Sequence, residues 1–450
     1  MPRGEFAPKS ASTGIGGHRG GSDTNSNPEE ILMMEEEERN WFVGVDWASE
    51  THQVCLLDVH GQKLGERSFA HGGAGLAAMA DWILALTGAA PDEIHVAIEV
   101  PHGPVVESLM ERGLKVHAIN PKQLDRFRDR FSPAGAKDDS RDAQVLGDAL
   151  RTDPHCLRRL VPLDPVVIEL REWSRITEEL TQDRTRLTNR LREQLWRYYP
   201  QILEVTDDLA QPWFLELWAR VPTPDAARRV RLDTLARILK RHRIRRLDAT
   251  GLRDRLRAPA LVVAPGTTEA ATAHIKPLGK RLALVNRQLR QAEARLDQLT
   301  ERLASNRQKG PGQKGEQRDV TILASLPGIG RIVLATLLAE AFDPLQRRDY
   351  HALRCLSGVA PVTKRSGKSK IVIRRLAAHV RLANAAYHWA RVAVQHDPKS
   401  RAKYTALRQR GHGHARALRS VADRLLAVAC AMLESQTLFD PDHPTQSQAP

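Results

Sequence analysis

The chain has 450 residues, which predicts two or three domains, and a hydrophobic content of 41% is enough for sizeable cores. Lysine and arginine number 68 against 54 acidic residues, a net charge of +14, which favours nucleic acid as a partner over an anionic membrane surface. No apolar run reaches the ~18 residues of a membrane span, and no signal-peptide core is present. The four cysteines are far apart, which argues against a zinc site or disulfides and indicates a reducing cytoplasm: Cys55, Cys156, Cys355 and Cys430.

Residues 1–39 are rich in glycine, serine and asparagine, which predicts a disordered tail. From Trp41 to about Arg151 the pattern predicts elements in the order β-β-β-α-β-α-β-α-α. Three antiparallel strands followed by α/β alternation are typical of an RNase H-like sheet. The absence of GxGxxG and GxxxxGK(S/T) motifs argues against NAD and ATP as ligands. We therefore predict an RNase H-like α/β domain over 40–160.

The segment 136–143 reads AKDDSRDA and begins the last helix of this domain. Asp139 and Asp142 are spaced i, i+3, so their carboxylates share a helix face and repel each other. Either solvent with neighbouring cations or a bound divalent metal must offset that repulsion. On spacing alone, the segment could equally be a solvated helix start, and Asp138 could replace Asp139 because it is spaced i, i+4 from Asp142.

Two further carboxylates follow predicted strands. Asp46 lies in the apolar strand WFVGVD, and Glu99 lies at the end of the strand in AIEVPHG. An unpaired carboxylate is costly to bury, so both indicate a functional site. In an RNase H-like sheet these two strands are neighbours, so their acids can converge with Asp139 and Asp142. Four such oxygen ligands can hold one or two Mg²⁺ ions.

The middle of the chain, 161–305, is predicted to be all-helical. Apolar residues with a 3.5-like period predict a long, coiled-coil-capable helix from about Asp164 to Tyr199, and a second long amphipathic helix is predicted over about 268–305. A polar stretch rich in glycine and glutamine, 306–318, is the predicted linker to the last domain. The apolar residues that show this period in the first long helix are Ile168, Trp173, Ile176, Leu180, Leu187, Leu191 and Leu195.

The last domain, 319–436, is predicted to be mostly helical and is followed by a polar tail, 437–450. The sequence LPGIG predicts the turn of a helix-hairpin-helix, in which Gly328 and Gly330 let backbone amides approach a phosphate. No acidic residue occurs from 361 to 396, which predicts a nucleic-acid-binding surface. Its candidate phosphate contacts are basic: Lys364, Arg365, Lys368, Lys370, Arg374 and Arg375.

Ser366 lies within the basic segment TKRSGKSK, where nearby cations would ease deprotonation of a hydroxyl close to a phosphate. On the residues alone, a phosphate-contacting serine is commoner than a nucleophile, and Ser369 is as plausible as Ser366. Tyr387 and Trp389, further along, have a helical spacing that favours core packing over base stacking.

Together, these motifs resemble the DEDD transposases of the IS-one-ten insertion-sequence family, recombinases guided by a bridge RNA. VGVDWAS resembles the first-acid strand of the family and AIEVPHG resembles its glutamate strand. AKDDSRDA resembles the two-aspartate block, in which Asp139 and Asp142 take the aspartate positions and Asp138 takes a threonine position. LPGIG, AEAFDP and LSGVAPVTKRSG resemble the C-terminal transposase domain. The resemblance covers about 41–435.

The resemblance implies a RuvC-like domain that binds Mg²⁺, a coiled-coil middle used for assembly, and a serine nucleophile that falls on Ser366. The serine would attack a DNA phosphate and hold the strand as a phosphoserine during exchange. The implied partners are donor and target DNA, a structured guide RNA and further copies of the chain, from dimer to tetramer, whose protomers share composite active sites. The metal ligands carried over by the resemblance are Asp46, Glu99, Asp139 and Asp142.

Three hypotheses about function follow. The first is a site-specific recombinase or transposase that uses Mg²⁺ and Ser366. The second is a metal-only nuclease of the Holliday-junction resolvase type, in which the serine merely contacts phosphate. The third is a non-catalytic nucleic-acid-binding protein, against which the four carboxylates argue.

Overall fold

A computed structural model describes residues 40–130, 139–305, 319–367 and 369–441. The chain divides into two compact units, Met1–Pro162 and Leu163–Pro450. The expected disordered tail over 1–39 and the expected linker over 306–318 lie outside the described residues. None of the described helices combines the length and apolarity that a membrane crossing requires.

The first unit is built on a six-stranded mixed sheet with the strand order β3-β2-β1-β4-β5-β6. The first three strands are antiparallel, β4 and β5 run parallel to β1, and β6 runs antiparallel to β5. This confirms the predicted order of elements and adds the short β6. The elements are β1 (Trp41–Asp46), β2 (Thr51–Leu57), β3 (Lys63–Ala70), α1 (Gly73–Thr87), β4 (Ile94–Ile98), α2 (Pro104–Glu111), β5 (Lys115–Ala118), α3 (Pro121–Arg128), α4 (Asp139–Thr152) and β6 (Arg158–Arg159).

Helices cover both faces of this sheet. Valines of β1 and β2 pack with α1 and α2 on one face, and α4 packs on the other. At Gly44 the α4 backbone lies directly on the strand. A Cβ atom there would meet the Ala143 carbonyl oxygen at 1.8 Å and the Gly147 amide nitrogen at 2.6 Å. Only glycine permits this approach, so Gly44 sets how closely α4 lies on the sheet.

Two histidines lie side by side on β4 and β5. His95 Nδ1 and His117 Nε2 are 3.2 Å apart, and the rings stack with centroids separated by 5.3 Å. Burial, together with the charges of Lys115 and Arg159, lowers the pKa of His95 to about 4. Burial, the neighbouring His95 and the same two cations lower the pKa of His117 to about 4. Both rings are therefore neutral at pH 7.

We expect this pair to make the first unit sensitive to acid. The unfolded chain binds these protons near pH 6.5, whereas the folded chain binds them only near pH 4, so stability is lost as the pH falls through that window. For His117 alone, the loss between pH 7 and 5 is about 2 kcal/mol. Urea unfolding of wild type and His117→Gln at both pH values measures it. Equal pH dependence in the two proteins would contradict the expectation.

The second unit begins with a helical region dominated by two long helices. Its helices are α5 (Pro165–Tyr198), α6 (Pro212–Arg220), α7 (Pro224–Arg229), α8 (Leu232–Arg241), α9 (Ala249–Leu256) and α10 (Thr267–Ser305). The Asp164 carboxylate accepts a hydrogen bond from the Val166 amide and caps α5. Both predicted long helices are confirmed. They pack antiparallel, because Arg295 of α10 donates to Glu169 at 2.8 Å while Arg184 of α5 donates to Asn286 at 3.2 Å.

The predicted apolar seam of α5 is fully buried only in its second half, whereas in the first half Trp173 and Leu180 are partly buried against the core. Leu187, Leu191 and Leu195 are buried, but Ile176 is 38% exposed. In the first half, the buried positions include Ser174 and Thr177. Their hydroxyls make burial tolerable: the Ser174 hydroxyl accepts a hydrogen bond from Arg381, and the Thr177 hydroxyl donates to the Trp173 carbonyl. A hydrophobicity pattern cannot detect such polar contacts.

The rest of the second unit packs around the buried helices α15 and α17. The elements are α11 (Asp319–Ser325), α12 (Arg331–Glu340), α13 (Phe342–Gln346), α14 (Tyr350–Leu356), β7 (Val362–Ser366), β8 (Ser369–Ile373), α15 (Val380–His396), α16 (Pro398–Gln409) and α17 (His414–Ser435). The antiparallel hairpin β7–β8 was not predicted, since the sequence identified that segment only by its basic residues. Trp389 is fully buried and donates to the Pro327 carbonyl at 2.9 Å, which confirms its predicted core role.

Candidate active site

Asp46 and Glu99 lie at the same edge of the sheet. Val45 of β1 pairs with Ile98 of the parallel β4, and the two acids are the next residues along each chain. Side chains alternate along a strand, so Asp46 shares the face of Gly44, which contacts α4. Ala97 of β4 also packs with α4 residues, and Glu99 comes directly after the strand. The strand pairing thus places the first two predicted acids at neighbouring positions of the same sheet edge.

The beginning of α4 lies at this same edge. Arg151, near the end of the helix, donates to the Val59 carbonyl in the turn between β2 and β3, at the opposite end of β1 from Asp46. The helix therefore runs antiparallel to β1. Asp142 precedes Ala143, the residue in contact with Gly44, and Asp139 is the first residue of the helix. Asp142 is 2% exposed, whereas Asp139 is exposed; Asp138 lies outside the described residues.

Arg128 is the partner of Asp142. Its Nε and Nη2 atoms donate to the two carboxylate oxygens at 2.7 and 2.8 Å, and its Nη1 donates to Asp125 at 2.6 Å. A bidentate guanidinium offsets the charge of a buried carboxylate effectively. The sequence offered nearer cations as candidates and gave no reason to choose Arg128. The last turn of α3 provides this cation through tertiary packing.

Glu66 of β3 is a further acid that the sequence did not single out. A hydrogen bond from Lys63, with others from Ser140 and Gln53, lowers the pKa of Glu66 to about 2. Ser140 belongs to the first turn of α4. The ionised Glu66 thus ties the beginning of α4, which carries Asp139 and Asp142, to the third strand.

Whether the four predicted acids could hold a metal ion depends on the distances between their carboxylate oxygens. Among the described residues, no three of the four predicted acids have ligand atoms within 4.8 Å of one another. The described group that meets this distance is Asp153, His155 and Cys156, in which Asp153 is also paired with Arg130 at 3.2 Å. The chemistry of the predicted set nevertheless suits Mg²⁺, since carboxylates on two adjacent strand ends and one helix are hard oxygen donors.

Ser366 lies at the end of a β-hairpin. It is the last residue of β7 and pairs in register with Ser369, the first residue of β8, while Gly367 begins the turn with φ +54°. Both serines are exposed. The hairpin therefore presents two hydroxyls at its tip, and its geometry does not choose between them.

Most of the predicted phosphate contacts lie on or just after this hairpin. Lys364 and Arg365 of β7, Lys370 of β8 and the following Arg374 are exposed, and Arg375 is half-buried. Lys368 lies outside the described residues. Nearby basic residues are not all available, because Arg381 is paired with Glu178 and Glu340 at 2.7 Å.

The LPGIG segment forms the turn between α11 and α12. Gly328 has φ +82°, and a Cβ atom there would meet the Ala393 amide nitrogen of α15 at 2.6 Å. Internal packing is therefore enough to require this glycine. Gly330 is exposed and is the N-cap residue of α12, so its amide is open to a ligand.

Two transposase family models match this chain. A transposase family model, DEDD_Tnp_IS110, matches residues 43–200, and a model of the transposase IS116/IS110/IS902 family matches residues 320–405. The first match spans all the predicted acids, and the second contains Ser366.

Several curated relatives are similar. The putative transposase y4uE of Sinorhizobium fredii is 66% identical over 214 residues, 47% of this chain and 60% of the relative. The mini-circle putative transposase for IS117 of Streptomyces coelicolor is 31% identical over 415 residues, 90% of this chain and 97% of the relative. The insertion element IS110 uncharacterized 43.6 kDa protein of the same organism is 28% identical, over 91% of this chain and 97% of its own length. The match to y4uE spans only part of that relative, whereas the IS117 transposase is matched over 97% of its length at 31% identity. With the two family models, this full-length match shows that the chain belongs to the IS110 family of transposases.

Proposed function

We propose that this chain cuts and rejoins DNA strands to move an insertion sequence, using Mg²⁺ at Asp46, Glu99, Asp139 and Asp142 and a nucleophile at Ser366. The observation that carries the proposal is the convergence of Asp46, Glu99 and α4 at one edge of the sheet. Carboxylates carried to one edge of the sheet by two strands and a helix repel one another unless cations offset their charge.

The chain's own residues would hold the metal in the first unit. Asp46, Glu99 and Asp142 supply buried or half-buried carboxylates, and Asp139 supplies an exposed one at the start of α4. When bound, Mg²⁺ would stabilise the negative charge that develops on the phosphate. In its absence, Arg128 neutralises Asp142, and Asp142 must share or release that guanidinium to reach an ion.

The proposed chemistry in the second unit starts from the Ser366 hydroxyl. Its oxygen attacks the phosphorus, its proton leaves to solvent or a base, and the bond from phosphorus to one DNA oxygen breaks. The result is a phosphoserine ester and a free DNA hydroxyl. A hydroxyl of another strand then attacks the same phosphorus and releases the serine, so the number of phosphodiester bonds is unchanged. Exposed Lys364, Arg365 and Lys370 would offset the phosphate charge.

The proposal also includes the fold types of the domains and the partners of the chain. The strand order supports a RuvC-like first domain, and the antiparallel packing of α5 and α10 supports a coiled-coil assembly element. The turn between α11 and α12, with exposed Gly330, supports a helix-hairpin-helix. Donor and target DNA, a guide RNA and further copies of the chain are the proposed partners.

One observation favours a second candidate, the metal-only nuclease. Ser366 and Ser369 are equivalent, exposed hydroxyls at the hairpin tip, so neither is visibly prepared as a nucleophile. In that case, cleavage would proceed without a covalent protein–DNA intermediate.

The divalent ion is the first test of the proposal. Protein purified with its bound RNA is incubated with plasmids carrying the element ends and flanking target DNA, in Mg²⁺ or in EDTA. We expect joined products and an SDS-resistant protein–DNA adduct in Mg²⁺, and neither in EDTA. Products that persist in EDTA would overturn the metal assignment, and cleavage in Mg²⁺ without an adduct would favour the nuclease.

A further inference from the structure

A cavity of about 330 Å³ lies in the second unit, at the base of the β7–β8 hairpin. Its walls come from the segment after α14, the segment after β8, and helices α15 and α17. Four separate parts of the chain therefore build it. The residues that matter below are Arg374, Arg375, Asn384, Tyr387 and Arg419.

Three guanidinium groups line this one cavity. None of Arg374, Arg375 and Arg419 forms an ion pair with a carboxylate within the described ranges. The Nε atom of Arg375 is buried and has no hydrogen-bond partner there. Burial, together with the charges of Arg374 and Arg416, lowers the pKa of Arg419. Like charges held together beside a buried donor without a protein partner are the features of an anion-binding site.

The rest of the lining suits a nucleobase. Tyr387 is half-buried: one part of it packs against the core, as its helical spacing predicts, and its hydroxyl lies 3.5 Å from His414 Nε2 at the beginning of α17. Asn384, one turn earlier on α15, is exposed and has an amide that can donate and accept. Aromatic rings bind bases of single strands by stacking, which duplex pairing prevents. The volume, near the lower end of the about 300–1,000 Å³ found for ligand pockets, suits one nucleotide rather than a helix.

We propose that this cavity captures one unpaired nucleotide of a nucleic-acid strand, with its phosphate on Arg375 and Arg419 and its base on Tyr387. The inference rests on the proposed function of this unit in binding nucleic acid. Ser369, at the other end of β8, pairs with Ser366, so the cavity lies one five-residue strand from the proposed nucleophile. That strand is about 16 Å long. The captured nucleotide would thus fix the strand a few positions from the bond that is cut.

Binding in EDTA tests the inference without any catalysis, so its outcome is independent of the roles of Ser366 and the carboxylates. Anisotropy is measured on the full chain with a fluorescein-labelled 12-nucleotide DNA strand, the same sequence as RNA, and the 12-base-pair duplex. We expect Arg375→Gln, Arg419→Gln and Tyr387→Leu each to weaken binding of one single strand about ten-fold, and duplex binding less than about three-fold. Tyr387→Phe keeps the ring and should bind within about two-fold of wild type.

Arg391→Gln is the matched control, since Arg391 is exposed on α15 in the same acid-free stretch but does not line the cavity. It should weaken all three probes equally and slightly. A loss of affinity in the cavity variants that is selective for the DNA strand or for the RNA strand supports nucleotide capture by the cavity and identifies the ligand as DNA or RNA. No loss for either strand, or equal losses for strands and duplex, overturns it.

A second measurement does not depend on any variant being folded. A 2-aminopurine base placed in turn along the bound single strand should lose fluorescence at one position when it stacks on Tyr387 in the wild-type protein. Tyr387→Phe should keep this quenching and Tyr387→Leu should lose it. Unchanged fluorescence at every position in the wild-type protein overturns the inference.

Discussion

Ser366→Ala is expected to abolish strand joining and the covalent protein–DNA adduct, lowering the rate of joining by more than about 1,000-fold. The reason is that alanine has no hydroxyl to form the phosphoserine ester. Ser366 is exposed at the end of a hairpin, so the change should alter the free energy of unfolding by no more than about 0.5 kcal/mol. Adduct formation is measured by gel electrophoresis in SDS, and joining by amplification of product junctions.

Ser369→Ala is the matched control, because Ser369 is exposed, belongs to the same hairpin and pairs directly with Ser366. It should retain the adduct and lose no more than a few-fold in rate. If Ser366→Ala joins DNA at the wild-type rate while Asp142→Asn is inactive, the metal-only nuclease replaces the recombinase. If Ser369→Ala alone loses the adduct, the nucleophile is the other serine of the pair.

Asp142→Asn is expected to lower strand cleavage by at least about 100-fold at saturating Mg²⁺, since an amide is a much weaker metal ligand than a carboxylate. It also removes the ion pair with Arg128, whose side chain is 27% exposed and can be rehydrated. A loss of about 1–2 kcal/mol in unfolding free energy should therefore accompany it, less than for a fully buried pair. Cleavage is measured as a function of Mg²⁺ concentration, and stability is measured by urea unfolding.

Arg128→Gln separates the two roles of Asp142. It breaks the same ion pair and should cost similar stability, yet it leaves the carboxylate in place. We expect it to cleave at saturating Mg²⁺ and to reach half-maximal rate at a lower Mg²⁺ concentration than wild type, because the competing cation is gone. If Arg128→Gln is as inactive as Asp142→Asn, the pair is required for structure and the metal role of Asp142 is not supported.

Asp139→Asn and Asp138→Asn test the remaining ambiguity in the AKDDSRDA segment. The proposal gives the ligand role to Asp139, the first residue of α4, because the resemblance to the family places it at an aspartate position. We expect Asp139→Asn to lose cleavage and Asp138→Asn to retain it within a few-fold. The reverse pattern would assign the role to Asp138.

Much of the first unit could be predicted because its strands and helices have clear periodicities and short connections. Asp46 and Glu99 were singled out because acids in otherwise apolar strands are costly, and the structure confirms that β1 and β4, whose ends carry them, are neighbours. Arg128 and Glu66 could not be recognised. Both are charged residues in segments whose sequence does not predict burial. Their partners are provided only by the packing of α3, α4 and β3.

The second unit was predictable at the level of long helices and less so in detail. The hairpin β7–β8 was missed because its strands are five residues each and lack the alternation typical of a half-buried strand: β7 (VTKRS) is mostly polar, and β8 (SKIVI) ends in an apolar run. The buried polar seam of α5 was missed because side-chain hydrogen bonds, not hydrophobicity, satisfy Ser174 and Thr177. Gly328 was interpreted as a phosphate contact, although contact with α15 already requires a glycine there.

The close approach at Gly44 affects how copies of such an element decay in a genome. Any side chain at this position would collide with the backbone of α4 at Ala143 and force the helix away from β1. Such a copy would still encode Asp46, Glu99, Asp139, Asp142 and Ser366. A survey that judges copies by these five proposed catalytic residues alone would count it as intact, although α4 could no longer lie on β1 as it does here. Position 44 is thus a marker of copies with a disrupted first unit that the five residues alone do not reveal.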